Sequence, residues 1–313
     1  MKIVVVGLGG VGGVVGGNLA SDPGPNSVVF WCRGETLRAI SEHGIRVLSD
    51  GGDISAVPAL ATHDAREVLA AVGTGGTGAP DVIIFAVKGY QLEQAASEVR
   101  ELVGARTVII PLLNGVGASD AIQAIIPQAC VLGGCVYVSA HSEGPGVVRQ
   151  VGSAQRVFFG AREGAKKPPV PLADVETALR RGRLDVILTD KIDVEVWSKF
   201  AFLSPFAGVT TLFGRTIGSV LADGSQLALA REMIGEVAAL ARAKGVALPG
   251  DIEDVVMEKA RSFPPATKTS MQIDRECGAP IEIDTLIKYV ADESAVFGLS
   301  TPAYDRVYSG LIA

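Results

Sequence analysis

Lys2-Ile3-Val4-Val5-Val6-Gly7-Leu8-Gly9-Gly10-Val11-Gly12 decides how the rest of the chain is read. The β-branched run from Ile3 to Val6 has the character of a short buried strand, the glycines break it into a turn, and the following segment opens a helix. Gly7, Gly9 and Gly12 stand at G-x-G-x-x-G spacing in that strand-to-helix context. The first glycine permits the tight turn, the second lets the backbone approach a pyrophosphate, and the helix N-terminus turns unpaired N–H groups toward negative charge. Gly7, Leu8, Gly9, Gly10, Val11 and Gly12 are therefore candidate dinucleotide-binding residues.

Outward from the turn, the second apolar run ends Trp31-Cys32-Arg33 where an NAD site carries a carboxylate for the ribose diol. Arg33 grips a 2′-phosphate with a planar, charge-assisted fork, whereas a carboxylate would repel it. The expected cofactor is NADPH/NADP, with Glu35 close enough in sequence to complicate the site.

Further on, β-branched runs alternate with helical stretches up to about residue 190, the pattern of βαβ units on a parallel sheet. Strands are expected at Ile3–Val6, Val28–Cys32, Val82–Val87, Val108–Pro111 and Cys130–Val138, with helical segments such as Glu35–His43 and Leu92–Leu102 between them. Val147–Val151 and Gln155–Phe159 read as a hairpin on the sheet edge, and Ala173–Gly182 with Asp185–Leu188 completes the first domain. The Gly- and Thr-rich Val72–Pro80 precedes a strand instead of opening a helix, so it reads as a flexible connection, not a phosphate loop. After Asp190 helical periodicity takes over, at Val194–Leu203, Ser219–Lys244, Gly250–Arg261, Ser270–Arg275 and Ile283–Phe297. The expected domains are 1–190, an NADP-binding Rossmann-type α/β domain, and 191–313, a helical substrate and catalytic domain.

Bulk properties narrow the function. A net charge of −6 disfavours nucleic acid as a partner. Seven glycines between Gly7 and Gly17 interrupt the apolar N-terminus, which argues against a secretory signal, and no run is long enough for a membrane span. Cys32, Cys130, Cys135 and Cys277 lack metal or disulfide spacing, and His43, His63 and His141 are scattered. Reduced thiols, no metal and a cytoplasmic location are expected.

Several motifs follow one another in an order that resembles the ketopantoate reductases. They are the glycine turn, Arg33, Phe85-Ala86-Val87-Lys88, Leu113-Asn114-Gly115-Val116-Gly117, Trp197-Ser198-Lys199-Phe200, Thr269-Ser270-Met271-Gln272-Ile273-Asp274 and Glu282-Ile283-Asp284. The resemblance spans almost the whole chain. It implies a Rossmann-type domain followed by an all-α C-terminal domain of the 6-phosphogluconate dehydrogenase C-terminal-like kind, closing over the cleft. It further implies NADPH-dependent reduction of 2-dehydropantoate (ketopantoate) to pantoate. Lys199 matches the catalytic lysine, Asn114 the asparagine beside the nicotinamide, and Lys88 the lysine at the cofactor. Ala140 matches a backbone contact to NADP, Glu282 the carboxylate at the cofactor ribose and active site, and Ser270 the substrate-binding serine, with Thr269 beside it.

The chemistry agrees with that placement. Hydride addition to a ketone develops negative charge on oxygen, and an ammonium can polarise the carbonyl and then protonate the alkoxide. Departures concern the substrate. Where the resemblance implies asparagines four and eight residues after Lys199, this chain has Leu203 and Ala207, and Lys288 replaces a common glycine. Loss of two amides disfavours a buried substrate hydroxyl, so a less polar 2-oxo acid is an alternative substrate. A non-catalytic NADP-binding regulator is a second alternative, and a homodimer formed through apolar helical faces is compatible with the sequence. Pro205 is expected to bend or end the helix soon after Lys199.

Overall fold

A computed structural model describes residues 1–22, 24–73 and 78–313, so part of the Val72–Pro80 connection lies outside the described residues. The chain divides into two compact units, Met1–Leu113 with Ala118–Ile192, and Asn114–Gly117 with Asp193–Ala313.

The first unit runs β1 (Lys2–Val6), α1 (Gly10–Ala20), β2 (Ser27–Trp31), α2 (Gly34–His43), β3 (Ile45–Leu48), β4 (Ile54–Ala56), β5 (Leu60–Thr62) and α3 (Ala65–Gly73). It continues β6 (Val82–Phe85), α4 (Leu92–Glu98), β7 (Val108–Pro111), α5 (Ala118–Ile125), β8 (Cys130–Val131), β9 (Gly133–Gly144), β10 (Val147–Gly160), α6 (Leu172–Arg180) and β11 (Asp185–Leu188). Six parallel strands form one sheet in the order β5-β2-β1-β6-β7-β8, the doubly wound Rossmann arrangement. The order reverses between β1 and β6, where open α/β sheets bind their ligands. Apolar residues are continuous along these strands because both faces are covered. Ile3, Val5, Phe30, Ile84 and Ile110 pack to one side with α1 residues Val15 and Leu19. Val4, Val6, Trp31, Phe85 and Ile109 pack to the other with Val68, Leu92 and Ile122.

A second, five-stranded sheet holds β9 and β10 with β3, β4 and β11. Two expectations are corrected here. The Cys130–Val138 run is two strands, because at Gly133 and Gly134 the chain leaves the first sheet for the second; a Cβ on Gly134 would lie 2.4 Å from the Pro111 carbonyl. The anticipated edge hairpin is instead the single strand β10, whose two halves both pair antiparallel with β9 across an irregularity between Val151 and Gln155. Gly152, at φ +71°, accommodates a bulge there and not a reversal.

The second unit contains α7 (Ile192–Phe213), α8 (Ile217–Ala222), α9 (Gly224–Ala243), α10 (Ile252–Ser262), α11 (Ser270–Glu276), a π-helical turn (Asp284–Lys288), α12 (Tyr289–Val296) and α13 (Pro302–Ile312). One core joins them, with Phe200, Phe206, Met233, Val237, Leu286, Ile287 and Tyr304 buried together. Gly208 on α7 lets this packing close: a Cβ there would stand 3.0 Å from both Ile287 Cδ1 and Met233 Cε. Contrary to the expectation of an early end, α7 runs through Pro205 to Phe213. Burial of Phe200, Phe206 and Val209 around the proline outweighs the one lost backbone hydrogen bond. The expected Ser219–Lys244 helix is two, separated at Asp223, whose carboxylate accepts from the Ser225 and Gln226 N–H groups, both at 3.0 Å, and starts α9. No helix among the described residues is long and apolar enough to cross a membrane.

Candidate active site

The glycine turn is shaped by close approaches on three sides. Gly7 adopts φ +88°, and its N–H donates to the Trp31 carbonyl at 3.1 Å, tying the turn to the end of β2. A Cβ on Gly7 would lie 2.5 Å from Val87 Cγ1, one on Gly12 1.8 Å from the Gly7 carbonyl oxygen, and one on Gly10 2.4 Å from the Ala140 carbonyl oxygen. Gly9 differs. It is the exposed N-cap of α1, no side chain caps it, and a Cβ there would meet nothing within 4 Å. The first turn of α1 also carries no acidic residue. Open space over uncapped N–H groups is what a pyrophosphate requires, so this turn fits a dinucleotide. Leu8 is buried beneath it and Val11 is half-buried.

The same neighbourhood contains the other residues expected at the cofactor in this unit. Lys88 follows Val87, the residue against Gly7, and its N–H donates to Gln91 Oε1 at 3.4 Å. Ala140 on β9 faces Gly10 through its carbonyl. Arg33 is exposed at the N-cap of α2, with Nη1 3.6 Å from Glu98 Oε1 on α4. Sequence proximity pointed to Glu35 as the nearby carboxylate, but the partner is Glu98.

In the helical unit, Lys199 Nζ donates to Asn114 Oδ1 at 3.2 Å, and both residues are half-buried. Asn114–Gly117 follow β7 in sequence yet belong by packing to the helices. Gly115 takes φ +95°, and Cβ atoms on Gly115 and Gly117 would lie 2.5 Å from Thr285 Cγ2 and 2.7 Å from Tyr289 Cε2. The loop therefore lies flat on the π-helical turn and the start of α12. Tyr289 in turn meets Phe200 edge-on at 6.4 Å, so the aromatic side of α7 and the loop share a support. Glu282, 4% exposed, lies just before the π-helical turn.

The remaining substrate candidates divide between α7 and the start of α11. Leu203 is half-buried at the margin of the helical core, and Ala207 lies within it. Thr269 caps α11 by accepting from the Gln272 N–H at 3.4 Å. Thr210 donates to the Phe206 carbonyl, so the 2.8 Å bond between Thr269 and Thr210 takes the Thr269 proton. Thr269 thus already spends its donor within the fold, while its neighbour Ser270 is exposed. Thr210 lies about 16 Å along the helix axis from Lys199 at 1.5 Å per residue. The residues that sequence reasoning missed are Glu98, Thr285 and Tyr289, each a partner contributed from a distant part of the chain.

Residues 3–164 match the family described as ketopantoate reductase PanE/ApbA, and residues 191–313 match ketopantoate reductase PanE/ApbA C terminal. An uncharacterized oxidoreductase of Bacillus subtilis, YkpB, is 30% identical over 99% of this chain and 98% of its own. The 2-dehydropantoate 2-reductase of Mesorhizobium japonicum is 30% identical over 98% of this chain and 95% of its own. A D-mandelate dehydrogenase solved with NADH and anilino(oxo)acetate shares the fold, with a TM-score of 0.84 and 22% identity over 100% of this chain and 97% of its own. With the glycine turn and Asn114 inside the N-terminal match and Lys199 inside the C-terminal one, the two halves of one family together cover most of the sequence, and this chain belongs to the ketopantoate reductase PanE/ApbA family of oxidoreductases.

Proposed function

We propose that the protein reduces 2-dehydropantoate to pantoate with NADPH, and that Lys199 delivers the proton. The observation that carries this reading is the 3.2 Å bond from Lys199 Nζ to Asn114 Oδ1. An ammonium has three N–H bonds, and an amide oxygen that takes one of them fixes where the others point. The loop bearing Asn114 is itself held by two glycines against Thr285 and Tyr289, so the lysine has a rigid reference.

When bound, NADPH supplies a hydride to C2 of the oxo acid. Lys199 polarises the C2 carbonyl oxygen, stabilises the negative charge that develops there, and transfers a proton to it, so that ketone, hydride and proton balance as the alcohol. Asn114 orients Lys199 and is the residue that would meet the nicotinamide. Ser270 holds the substrate carboxylate, with Thr269 fixing the start of α11. In the α/β unit, Gly7 to Gly12 would receive the pyrophosphate, Arg33 the 2′-phosphate, Ala140 a backbone contact and Lys88 the cofactor, while Glu282, in the helical unit, is the carboxylate we assign to the ribose.

Steady-state turnover tests the assignment. Lys199→Ala is expected to lower kcat by about 10²- to 10⁴-fold, the range of a positioned general acid, while calorimetric NADPH binding persists. Turnover at the wild-type rate in that variant would remove Lys199 from the chemistry. Leu203 and Ala207 favour a second reading, a 2-oxo acid with a less polar side chain, because neither presents an amide to a substrate hydroxyl. Comparison of kcat/KM for ketopantoate and for 2-oxoisovalerate decides between the two.

A further inference from the structure

Arg33 does not stand alone at the end of β2. Its Nη1 lies 3.6 Å from Glu98 Oε1, and Glu98 is fixed there by groups other than the arginine. Its Oε2 accepts from the indole N–H of the buried Trp31 at 3.4 Å, and its Oε1 accepts from Gln94 Nε2 at 2.8 Å. Trp31 is the last residue of β2, and its carbonyl receives the Gly7 N–H, so the carboxylate is tied to the strand end that also carries the glycine turn. A carboxylate held in this way does not swing aside when a second anion approaches the guanidinium.

We propose that Glu98 is a specificity-determining residue for the dinucleotide. It occupies part of the Arg33 fork and repels a 2′-phosphate, so the protein favours NADPH over NADH by a narrower margin than Arg33 alone would set. This rests on the reading of Arg33 as the 2′-phosphate ligand. The competition is electrostatic. A carboxylate a few ångströms from a doubly charged phosphate at a solvated surface weakens binding by about three- to tenfold, whereas the 2′-hydroxyl of NADH carries no charge to repel. The carboxylate also accepts a hydrogen bond from that hydroxyl, which a guanidinium, having donors only, cannot do.

Calorimetric titration of the full chain with NADPH and with NADH tests this, using the wild type, Glu98→Gln and Arg33→Ala. Glutamine keeps an acceptor for the Trp31 indole and removes the charge, and its NH2 group can pair with the Gln94 amide once that amide turns over to present its oxygen. Glu98→Gln should tighten NADPH about three- to tenfold and change NADH by less than about twofold, with the gain shrinking at about 1 M salt, where the Debye length is about 3 Å. An NADH-to-NADPH ratio of dissociation constants that stays the same or falls in Glu98→Gln overturns the proposal. Arg33→Ala separates the underlying reading: if it fails to weaken NADPH selectively, Arg33 is not the phosphate ligand. Selective weakening in Arg33→Ala with no change in Glu98→Gln rejects Glu98 alone.

Discussion

Two glycines three residues apart carry opposite expectations. A methyl group on Gly12 would stand 1.8 Å from the Gly7 carbonyl, a backbone atom with no room to yield, whereas one on Gly9 would enter open space. Gly12→Ala should therefore destabilise the α/β unit by about 3 kcal/mol or more. Gly9→Ala should leave thermal unfolding nearly unchanged, with less than about 1 kcal/mol lost at an N-cap, yet weaken NADPH on the order of tenfold. Melting curves and NADPH titrations of the two variants check this, and wild-type affinity in Gly9→Ala would mean that the space over the turn is not where the pyrophosphate sits. The spacing of these glycines, and hence the turn, was legible because one local segment specifies it. Glu98 was not, since its tie to Trp31 and Arg33 spans a sequence separation that no periodicity reveals.

At the level of elements, α7 is joined to the π-helical turn by a chain of buried hydroxyls. Ser204 has a single proton, and the Leu286 carbonyl at 2.5 Å can only accept it, so the Tyr304 hydroxyl at 2.6 Å donates to Ser204. Removing the middle member strands a buried phenol and takes the Ser204 hydroxyl from the Leu286 carbonyl, while removing the phenolic oxygen leaves Ser204 bonded to Leu286. Ser204→Ala should accordingly destabilise the helical unit by about 1–3 kcal/mol and Tyr304→Phe by less, as read from urea unfolding. Burial holds the Tyr304 phenol well above its ordinary value, so in the alkaline range the folded state keeps a proton that the unfolded chain releases. Stability should fall as pH rises beyond about 10, and Tyr304→Phe should remove that part of the loss. An alkaline slope identical in the two proteins would show that the phenol is not responsible. Long periodic helices and β-branched strands were readable because their pattern is local. Pro205 does not end α7 because tertiary burial overrides the single-residue rule, and the two halves of β10 misled because a bulge and a turn share the same glycine signal until the partner strand is known.

Across the whole molecule, apolar residues form one core in the helices and others on either side of the sheet, and buried thiols report on the α/β unit alone. Cys32, Cys130 and Cys135 are buried in the α/β unit, whereas Cys277 is exposed at the end of α11. Burial pushes the Cys32 thiol up to about 12 and raises Cys130 as well, so neither is a nucleophile until its surroundings open. A maleimide at neutral pH should label Cys277 at once and the other three only through unfolding of the α/β unit. If unfolding of that unit abolishes dinucleotide binding, NADPH at a hundred times its dissociation constant stabilises it by about 2.7 kcal/mol and slows labelling of the three thiols by about a hundredfold. Mass spectrometry of the labelled peptides over time gives both rates in one experiment. Protection confined to Cys32, Cys130 and Cys135 assigns NADPH to the glycine-turn unit. Buried-thiol labelling that NADPH leaves unchanged would instead require the dinucleotide to bind without engaging the turn between β1 and α1.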